Sequence, residues 1–188
     1  GYSLPLTLPN SNFFVRSLSE QGNYLNIAGY DVKTGQSWSL VWDRDSSVVD
    51  LTESIQLGSD RVYHNAQLEN QVFFIQVRSD MSNTKFTERP VLIIKYLNGN
   101  VAETLYEFPV ESIGITNGNV GGKWASTNRL YFSVLVKMIG ESAARNVLFC
   151  LDYKGRLTIA QNLAVDTGTA TVSGVFQQGE GFWIGAGS

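Results

Sequence analysis

His64 and Cys150 are the side chains that most readily do chemistry, and each is the only residue of its type. A histidine base or ligand needs partners, and a zinc site takes three or four ligands. We therefore predict that His64, within the segment VYHNAQL, is a core or channel-lining residue. Cys150 stands between Phe149 and Leu151, so we predict a buried thiol without the activating base that a nucleophile requires.

The acidic residues suggest two further chemistries, calcium binding and glycoside hydrolysis. The segment WDRDSS, with Asp43 and Asp45, resembles the start of a calcium loop but lacks the later ligands and the closing glutamate. Asp43 aligns with Asp152, so we predict that both stabilise turns. Glycosidases need two positioned carboxylates, and no pattern selects a pair among the 17 acidic residues. The chain also has no nucleophile elbow, phosphate-binding loop or dinucleotide fingerprint, so we predict no catalytic residue, no cofactor and no metal.

Four tryptophans could offer a flat apolar surface to a sugar ring. Trp38 and Trp42 align with apolar residues of another segment, so we predict that they pack inside the protein. Trp183 aligns with other aromatic residues and is predicted to be in the core. Trp124 follows a long glycine-rich segment, so it is the tryptophan that we expect to reach a ligand.

The bulk composition limits the class of protein. With 188 residues, 43% hydrophobic and 16% charged, the chain is globular and long enough for one core. A net charge of −3 and the lack of a basic run argue against nucleic acid as a partner. No apolar stretch is long enough for a membrane span. Abundant Asn, Ser, Thr and Gly are typical of extracellular, cell-surface and virion β proteins, where we expect this chain to act.

The elements that must position these residues are repeated. The segment NQVFFIQVRS aligns with NRLYFSVLVK, and PVLIIKYLNGNVA aligns with NVLFCLDYKGRLT, without gaps. A looser copy lies upstream, and the start of a fourth lies at the end of the chain. A period near fifty residues, filled with short strands, indicates stacked β units. The equivalent turn residues are aligned as Gly22, Asn70, Asn128 and Glu180, in steps of 48, 58 and 52 residues.

Each full repeat is predicted to contain four strands, here called A to D, because short runs rich in Val, Ile and aromatic residues alternate with turn signals. We predict a two-residue type I′ hairpin at Asn98–Gly99 and a similar turn at Lys154–Gly155. No segment has a helical period. The predicted strands are Phe13–Leu18, Tyr24–Tyr30, Trp38–Asp43, Val48–Ile55, Val62–Leu68, Val72–Arg78, Val91–Leu97, Val101–Phe108, Lys123–Ser126, Leu130–Lys137, Val147–Tyr153, Leu157–Leu163, Thr171–Gln177 and Phe182–Ala186.

Four antiparallel strands in a repeat of about fifty residues resemble a β-propeller blade. The resemblance implies an all-β fold, with one propeller-like domain over residues 1–188 built from repeats at about 13–57, 61–108, 123–163 and 171–188. Three blades and half of a fourth imply either a four-bladed ring closed by the N-terminal segment, or part of a larger propeller completed by further chain or another copy. The aligned positions predicted to be buried are Phe73, Tyr131 and Trp183, and Ile93, Phe149 and Leu40.

Loop length points to one end of the repeats as the binding face. The A–B and C–D turns are short, whereas the B–C and D–A connections are long, and the two sets lie at opposite ends of the strands. Long loops on a rigid scaffold usually hold binding residues. We expect a partner to contact Asp80–Arg89, Pro109–Gly122, Met138–Arg145 and Ala164–Ala170. Within this face the predicted binding residues are Asn117, Asn119, Lys123, Trp124 and Asp166, because they offer short polar groups, a cation and an apolar ring.

Three functions agree with this reading. The first is a non-catalytic module that binds a protein or a glycan through the long-loop face. The second is a carbohydrate-active hydrolase whose acids come from several strands. The third is a structural component of a larger assembly, such as a phage tail or surface appendage, in which the chain would form a homo-oligomer.

Overall fold

The computed structural model describes residues 12–78, 89–114, 123–162, 171–178 and 181–187. These residues form fifteen β-strands and no helix, and every strand pair with a defined register is antiparallel. Consecutive strands are neighbours in four-stranded sheets, so the described chain is a series of antiparallel meanders. The predicted all-β fold class is confirmed.

The first two sheets belong to one compact unit of the chain. The first sheet has the order β1-β2-β3-β4 and the second has the order β5-β6-β7-β8. Their strands are β1 (Phe13–Gln21), β2 (Tyr24–Asp31), β3 (Ser37–Asp43), β4 (Val48–Gly58), β5 (Arg61–Leu68), β6 (Gln71–Arg78), β7 (Val91–Asn98) and β8 (Val101–Pro109).

The remaining sheets belong to a second compact unit. The third sheet has the order β10-β11-β12-β13, and the short strand β9 pairs with β11 on the same edge as β10. The last two strands pair with each other. These strands are β9 (Ser112–Gly114), β10 (Lys123–Ala125), β11 (Arg129–Lys137), β12 (Arg145–Asp152), β13 (Leu157–Asn162), β14 (Thr171–Gln178) and β15 (Gly181–Gly187).

Every predicted strand is present, and β1 and β4 extend farthest beyond their predicted ends, to Gln21 and Gly58. Strand β9 was not predicted, because a three-residue strand inside a glycine-rich connection is too short to show alternation. It makes part of the connection at residues 109–122 regular rather than loop.

Three predicted turns differ in detail. The hairpin after β7 is centred on Gly99–Asn100 rather than Asn98–Gly99, and only Gly99 has a positive φ, so the type I′ prediction is wrong. The turn after β12 spans four residues, Tyr153 to Arg156, rather than two. Glu69 has φ of 52° and Gly22 has φ of 55°, so these two residues are equivalent and the predicted alignment of Gly22 with Asn70 is off by one residue.

Apolar side chains from the first two sheets form a shared core. Ala28 and Leu57 of the first sheet cluster with Val62, Val72 and Phe74 of the second, all nearly or fully buried. Five of the six positions that were predicted to be buried are buried, and the side chain of Trp183 lies outside the description. These five are Phe73, Tyr131, Ile93, Phe149 and Leu40.

Polar groups also join the first strands of these two sheets. The backbone N–H of Asn65 on β5 donates to the hydroxyl of Ser17 on β1, at 3.2 Å. Two residues farther along each strand, the N–H of Gln67 donates to the hydroxyl of Ser19, also at 3.2 Å. Both pairs are 48 residues apart, so β1 and β5 run side by side in the same direction.

Candidate functional site

Each four-stranded sheet has two ends, which differ in their connections. At the turn end, the first strand turns into the second and the third into the fourth. At the long-loop end, the first strand begins and the second strand ends. Side chains at the turn end of the first sheet interact among themselves, because Asp43 accepts the N–H of Asp45 at 2.9 Å and Arg44 pairs with Glu20 at 3.0 Å.

Five side chains gather at the long-loop end of the first two sheets, and we call them the arginine–aromatic cluster. Phe14 and Tyr30 are paired across β1 and β2, with ring centroids 5.5 Å apart. The guanidinium carbon of Arg16 lies 4.6 Å from the ring centroid of Tyr63 and 5.5 Å from that of Phe14. The guanidinium of Arg61 lies 5.4 Å from the ring of Tyr30. These distances are typical of cation–π contacts.

A β-bulge places Arg16 in this cluster. Val15 pairs with Gly29, and the next pair begins at Ser17, so Arg16 is the extra residue of the bulge. Bulges redirect a side chain and increase the local twist of an edge strand. Gly29 is needed opposite the bulge, because a Cβ atom there would lie only 2.3 Å from the carbonyl oxygen of Phe14.

The same bulge recurs in β14. Its register passes from Val172 to Gly174, which leaves Ser173 as the extra residue. Ser173 and Arg16 lie equally far from the turns that end their strands. The first and last repeats therefore share this bulge, but its extra residue is an arginine in the first repeat and a serine in the last.

Two positive charges of the cluster act on its buried tyrosine. Burial raises the pKa of the Tyr63 phenol, and the charges of Arg16 and Arg61 act in the opposite direction without cancelling this effect. The Arg61 side chain also forms a hydrogen bond with Tyr63. Two guanidinium groups therefore meet at one tyrosine, and the described ion pairs do not include Arg16.

The acidic residues next to the cluster in sequence are already engaged. Asp31 is buried, and its carboxylate accepts the N–H groups of Lys33 at 2.7 Å and Thr34 at 2.9 Å. Asp60 pairs with Arg78 at 3.0 Å.

The predicted binding residues Lys123 and Trp124 lie on β10, nearer the turn end of the third sheet than predicted, because its long-loop end is where β9 pairs with Leu135–Lys137. Lys123 is paired with Phe132 and Trp124 with Tyr131, so their side chains lie on opposite faces of the strand. Both are half-buried, and burial lowers the pKa of Lys123 to about 8. The other predicted residues, Asn117, Asn119 and Asp166, lie outside the described residues.

One of the predicted long loops is a compact turn. Within the connection Met138–Arg145, the carboxylate of Glu141 accepts the N–H of Met138 at 3.2 Å and the Nε–H of Arg145 at 3.0 Å. The ion pair with Arg145 is the main reason that the pKa of Glu141 is lowered. Gly140 has φ of 87°, which this turn requires of a glycine. The charged side chains of Glu141 and Arg145 therefore stabilise this turn.

The other candidate residues from the sequence are buried, packed in the core or hydrogen-bonded within turns. His64 is buried, with 9% of its surface exposed. Burial raises the pKa of the Cys150 thiol, which keeps it protonated and unreactive at neutral pH. Trp38 and Trp42 pack in the core of the first sheet, as predicted. Asp43 and Asp152 both accept backbone N–H groups of their own turns, which confirms the predicted turn-stabilising role.

The arginine–aromatic cluster was missed at the level of sequence because its members come from three strands. The detectable signals were the alternating pairs Phe14 and Arg16, and Arg61 and Tyr63, each of which places a cation and an aromatic ring on the same side of a strand. The bulge has no sequence signature, so the meeting of these pairs could not be foreseen.

No protein-family model matches the sequence, and a search of curated proteins finds no significant relative. Among the residues that the structure describes, no group of three or more His, Cys, Asp or Glu side chains is arranged to hold a metal ion. The described part of the chain has no helix that is both long and apolar enough to cross a membrane.

Proposed function

We propose that this chain is a non-catalytic binding module, built on propeller-like four-stranded blades, that recognises a protein or glycan through the long-loop ends of its sheets. The observation that carries the proposal is the chemical difference between the two ends of the first sheet. At the turn end, Arg44 pairs with Glu20 and Asp43 closes its own turn. At the long-loop end, 47% of the Phe14 side chain is exposed beside Arg16. Aromatic rings and arginines are the residues enriched where partners bind.

The propeller-like arrangement is supported by the contact between β1 and β5. In a propeller, the first strands of successive blades run side by side in one direction around the axis. The paired hydrogen bonds from Asn65 to Ser17 and from Gln67 to Ser19 have this parallel, constant spacing. This contact holds the long-loop ends of the first two sheets side by side.

The proposal is tested by screening the purified chain against a glycan array, with hydrolysis of chromogenic glycosides measured in parallel. Binding without turnover is expected. Turnover of a glycoside at a rate above that of a heat-denatured sample would favour a hydrolase instead. A stable, ligand-independent oligomer in light scattering, with no glycan bound, would favour a structural component.

A pair of double variants then tests the predicted residues. We expect Lys123→Ala with Trp124→Ala to weaken binding by about tenfold or more, because the two residues directly follow the glycine-rich connection that is predicted to contact the partner. The matched control, Tyr24→Ala with Arg44→Ala, removes one ring and one cation at the turn end, where 44% of Tyr24 is exposed. If the control weakens binding more than the test pair, the partner docks on the turn end and the assignment is wrong.

A further inference from the structure

The arginine–aromatic cluster offers surfaces that match the two groups of an acidic sugar, its apolar ring face and its carboxylate. A pyranose ring has an apolar face that packs on an aromatic ring, and 47% of the Phe14 side chain is exposed for such packing. A carboxylate is matched by the planar fork of a guanidinium, and the guanidinium of Arg16 lies 5.5 Å from the same ring. One residue pair thus offers a ring contact and an anion contact within one sugar residue.

A bulge of the edge strand, of the kind that recurs at Ser173 in β14, carries Arg16. Arg16 is the extra residue of a bulge on an edge strand, and bulges of this kind redirect side chains at binding and active sites. The ring of Tyr63 holds its guanidinium from one side at 4.6 Å. Tyr63 is 4% exposed and does not compete for the outer side of the cluster.

The positive charge at this point favours an anionic ligand over a neutral one. The charges of Arg16 and Arg61 both act on Tyr63, whereas Asp60 is paired with Arg78 and Oδ1 of Asp31 accepts two backbone N–H groups. Bringing two guanidinium groups to one tyrosine costs free energy through like-charge repulsion, and a bound anion removes that cost. A uronic acid has its carboxylate directly on the sugar ring, so it fits the short distance between ring and cation better than a sulfate ester, which is farther from its ring.

We propose that the arginine–aromatic cluster binds a carboxylated sugar residue of the uronic acid class, with Phe14 under the ring and Arg16 on the carboxylate. This inference rests on the proposed binding function and gives it a ligand class and a second location. It does not depend on Lys123 or Trp124.

The experiment compares acids with their own esters. A panel of uronic acid trisaccharides, each with its methyl ester and with a neutral sulfated trisaccharide, is titrated into the full chain by calorimetry. We expect at least one acid to bind about tenfold or more tightly than its ester, since esterification removes the charge-assisted hydrogen bonds and keeps the ring. Equal binding of acid and ester, or equal binding of the sulfated sugar, overturns the inference.

Three variants locate the site. Arg16→Gln is expected to weaken acid binding by about tenfold or more, and Arg16→Lys by less, because lysine keeps the charge without the fork. Arg44→Gln makes the same charge change at the turn end of the same sheet and is expected to leave affinity within about twofold of the wild type. An equal loss in Arg44→Gln overturns the location, because it would mean that net charge alone attracts the sugar.

Folding and function are separated by two further readouts. Circular dichroism and thermal unfolding check each variant, and if Arg16→Gln fails to fold, the exposed Phe14→Ala must show the loss instead. Unchanged acid binding in a folded Phe14→Ala overturns the role of the ring. If no acid binds but a neutral glycan does, the inference is wrong and the proposed binding function stands. If the chain binds no glycan at all, both the inference and the glycan form of the proposed function are contradicted.

Discussion

Ser17 and Asn65 form a reciprocal pair between the first strands of two successive repeats. The Ser17 hydroxyl donates to Oδ1 of Asn65 at 2.7 Å, and the backbone N–H of Asn65 donates back to the same hydroxyl oxygen at 3.2 Å. The Nδ2 group of Asn65 also donates to the carbonyl oxygen of Asn26 at 3.1 Å. All three residues are buried. Neighbouring repeats are therefore held by buried polar groups as well as by the apolar core.

Replacing Asn65 by Ala removes this connection. We expect Asn65→Ala to lower the free energy of unfolding by about 2–3 kcal/mol, because two buried hydrogen bonds of the Asn65 amide, from the Ser17 hydroxyl and to the Asn26 carbonyl, are lost. Chemical denaturation measures the loss. Asn100→Ala, at an exposed turn position, is the matched control and should change stability by less than about 0.5 kcal/mol. Similar losses in the two variants would mean that the pair contributes nothing specific.

The strands were predictable because each repeat presents its own alternation and turn signals. In β11, the run from Leu130 to Val136 is rich in β-branched and aromatic residues, and flanking polar residues mark its ends. The small errors concern turn geometry. The hairpin after β7 could be centred on Asn98–Gly99 or on Gly99–Asn100, because Asn and Gly in either order are common turn residues.

The candidate site was far less predictable than the strands. Loop length did not reveal that Lys123 pairs with Phe132 near the turn end of its sheet, or that its side chain is partly buried. The arginine–aromatic cluster depends on a bulge at Arg16 and on the contact of β1 with β5. Both arise from tertiary packing, which a pattern within one strand does not encode.

Gly29 is predicted to be essential to the bulge. In Gly29→Ala the new methyl group would lie 2.3 Å from the Phe14 carbonyl oxygen and 2.6 Å from the Phe13 ring, so β1 must move away. We expect a loss of about 2–3 kcal/mol in unfolding free energy, as in other overpacked sites. The control is Gly99→Asn, at a positive φ with open space around it, which should cost less than about 1 kcal/mol. A stable Gly29→Ala protein would show that the bulge tolerates a side chain.

Lys123 should make stability depend on pH in the alkaline range. Burial lowers its pKa from 10.5 to about 8, so between these values the unfolded chain binds more protons than the folded chain. Stability therefore rises as pH rises through this window, because deprotonation removes the charge that is costly to keep on the buried amine. We expect the contribution of Lys123 to the urea midpoint to increase from pH 7.5 to pH 9.5, a range in which the tyrosines remain mostly protonated.

The variant Lys123→Met identifies the source of this dependence. It should be more stable than the wild type at pH 7 by an amount on the order of 1 kcal/mol, and the difference should shrink by pH 9.5. Lys33→Met, at an exposed turn position, is the control and should keep the wild-type pH profile. A wild-type slope that persists in Lys123→Met would assign the effect to another group.

Asp152 is predicted to hold the turn between β12 and β13. Its Oδ1 accepts the N–H groups of Lys154 and Arg156, both at 2.9 Å, and its Oδ2 pairs with Arg156 at 2.7 Å. We expect Asp152→Ala to cost about 1–2 kcal/mol, because both N–H groups lose their acceptor. Asp152→Asn keeps an acceptor oxygen and loses only the ion pair with the largely exposed Arg156, so it should cost less than about 1 kcal/mol.

The pH dependence of this turn gives an independent check. Burial alone would raise the pKa of Asp152, but its hydrogen bonds with Arg156 outweigh burial, and the pKa is lowered from 3.8. The contribution of the carboxylate is therefore present above the unfolded value and is lost as pH falls through the lower, folded value. The stability difference between wild type and Asp152→Asn, measured by urea denaturation, should stay constant from pH 7 to about pH 5 and shrink below about pH 4. A difference that remains unchanged down to about pH 2 would mean that the charge of Asp152 does not stabilise the turn.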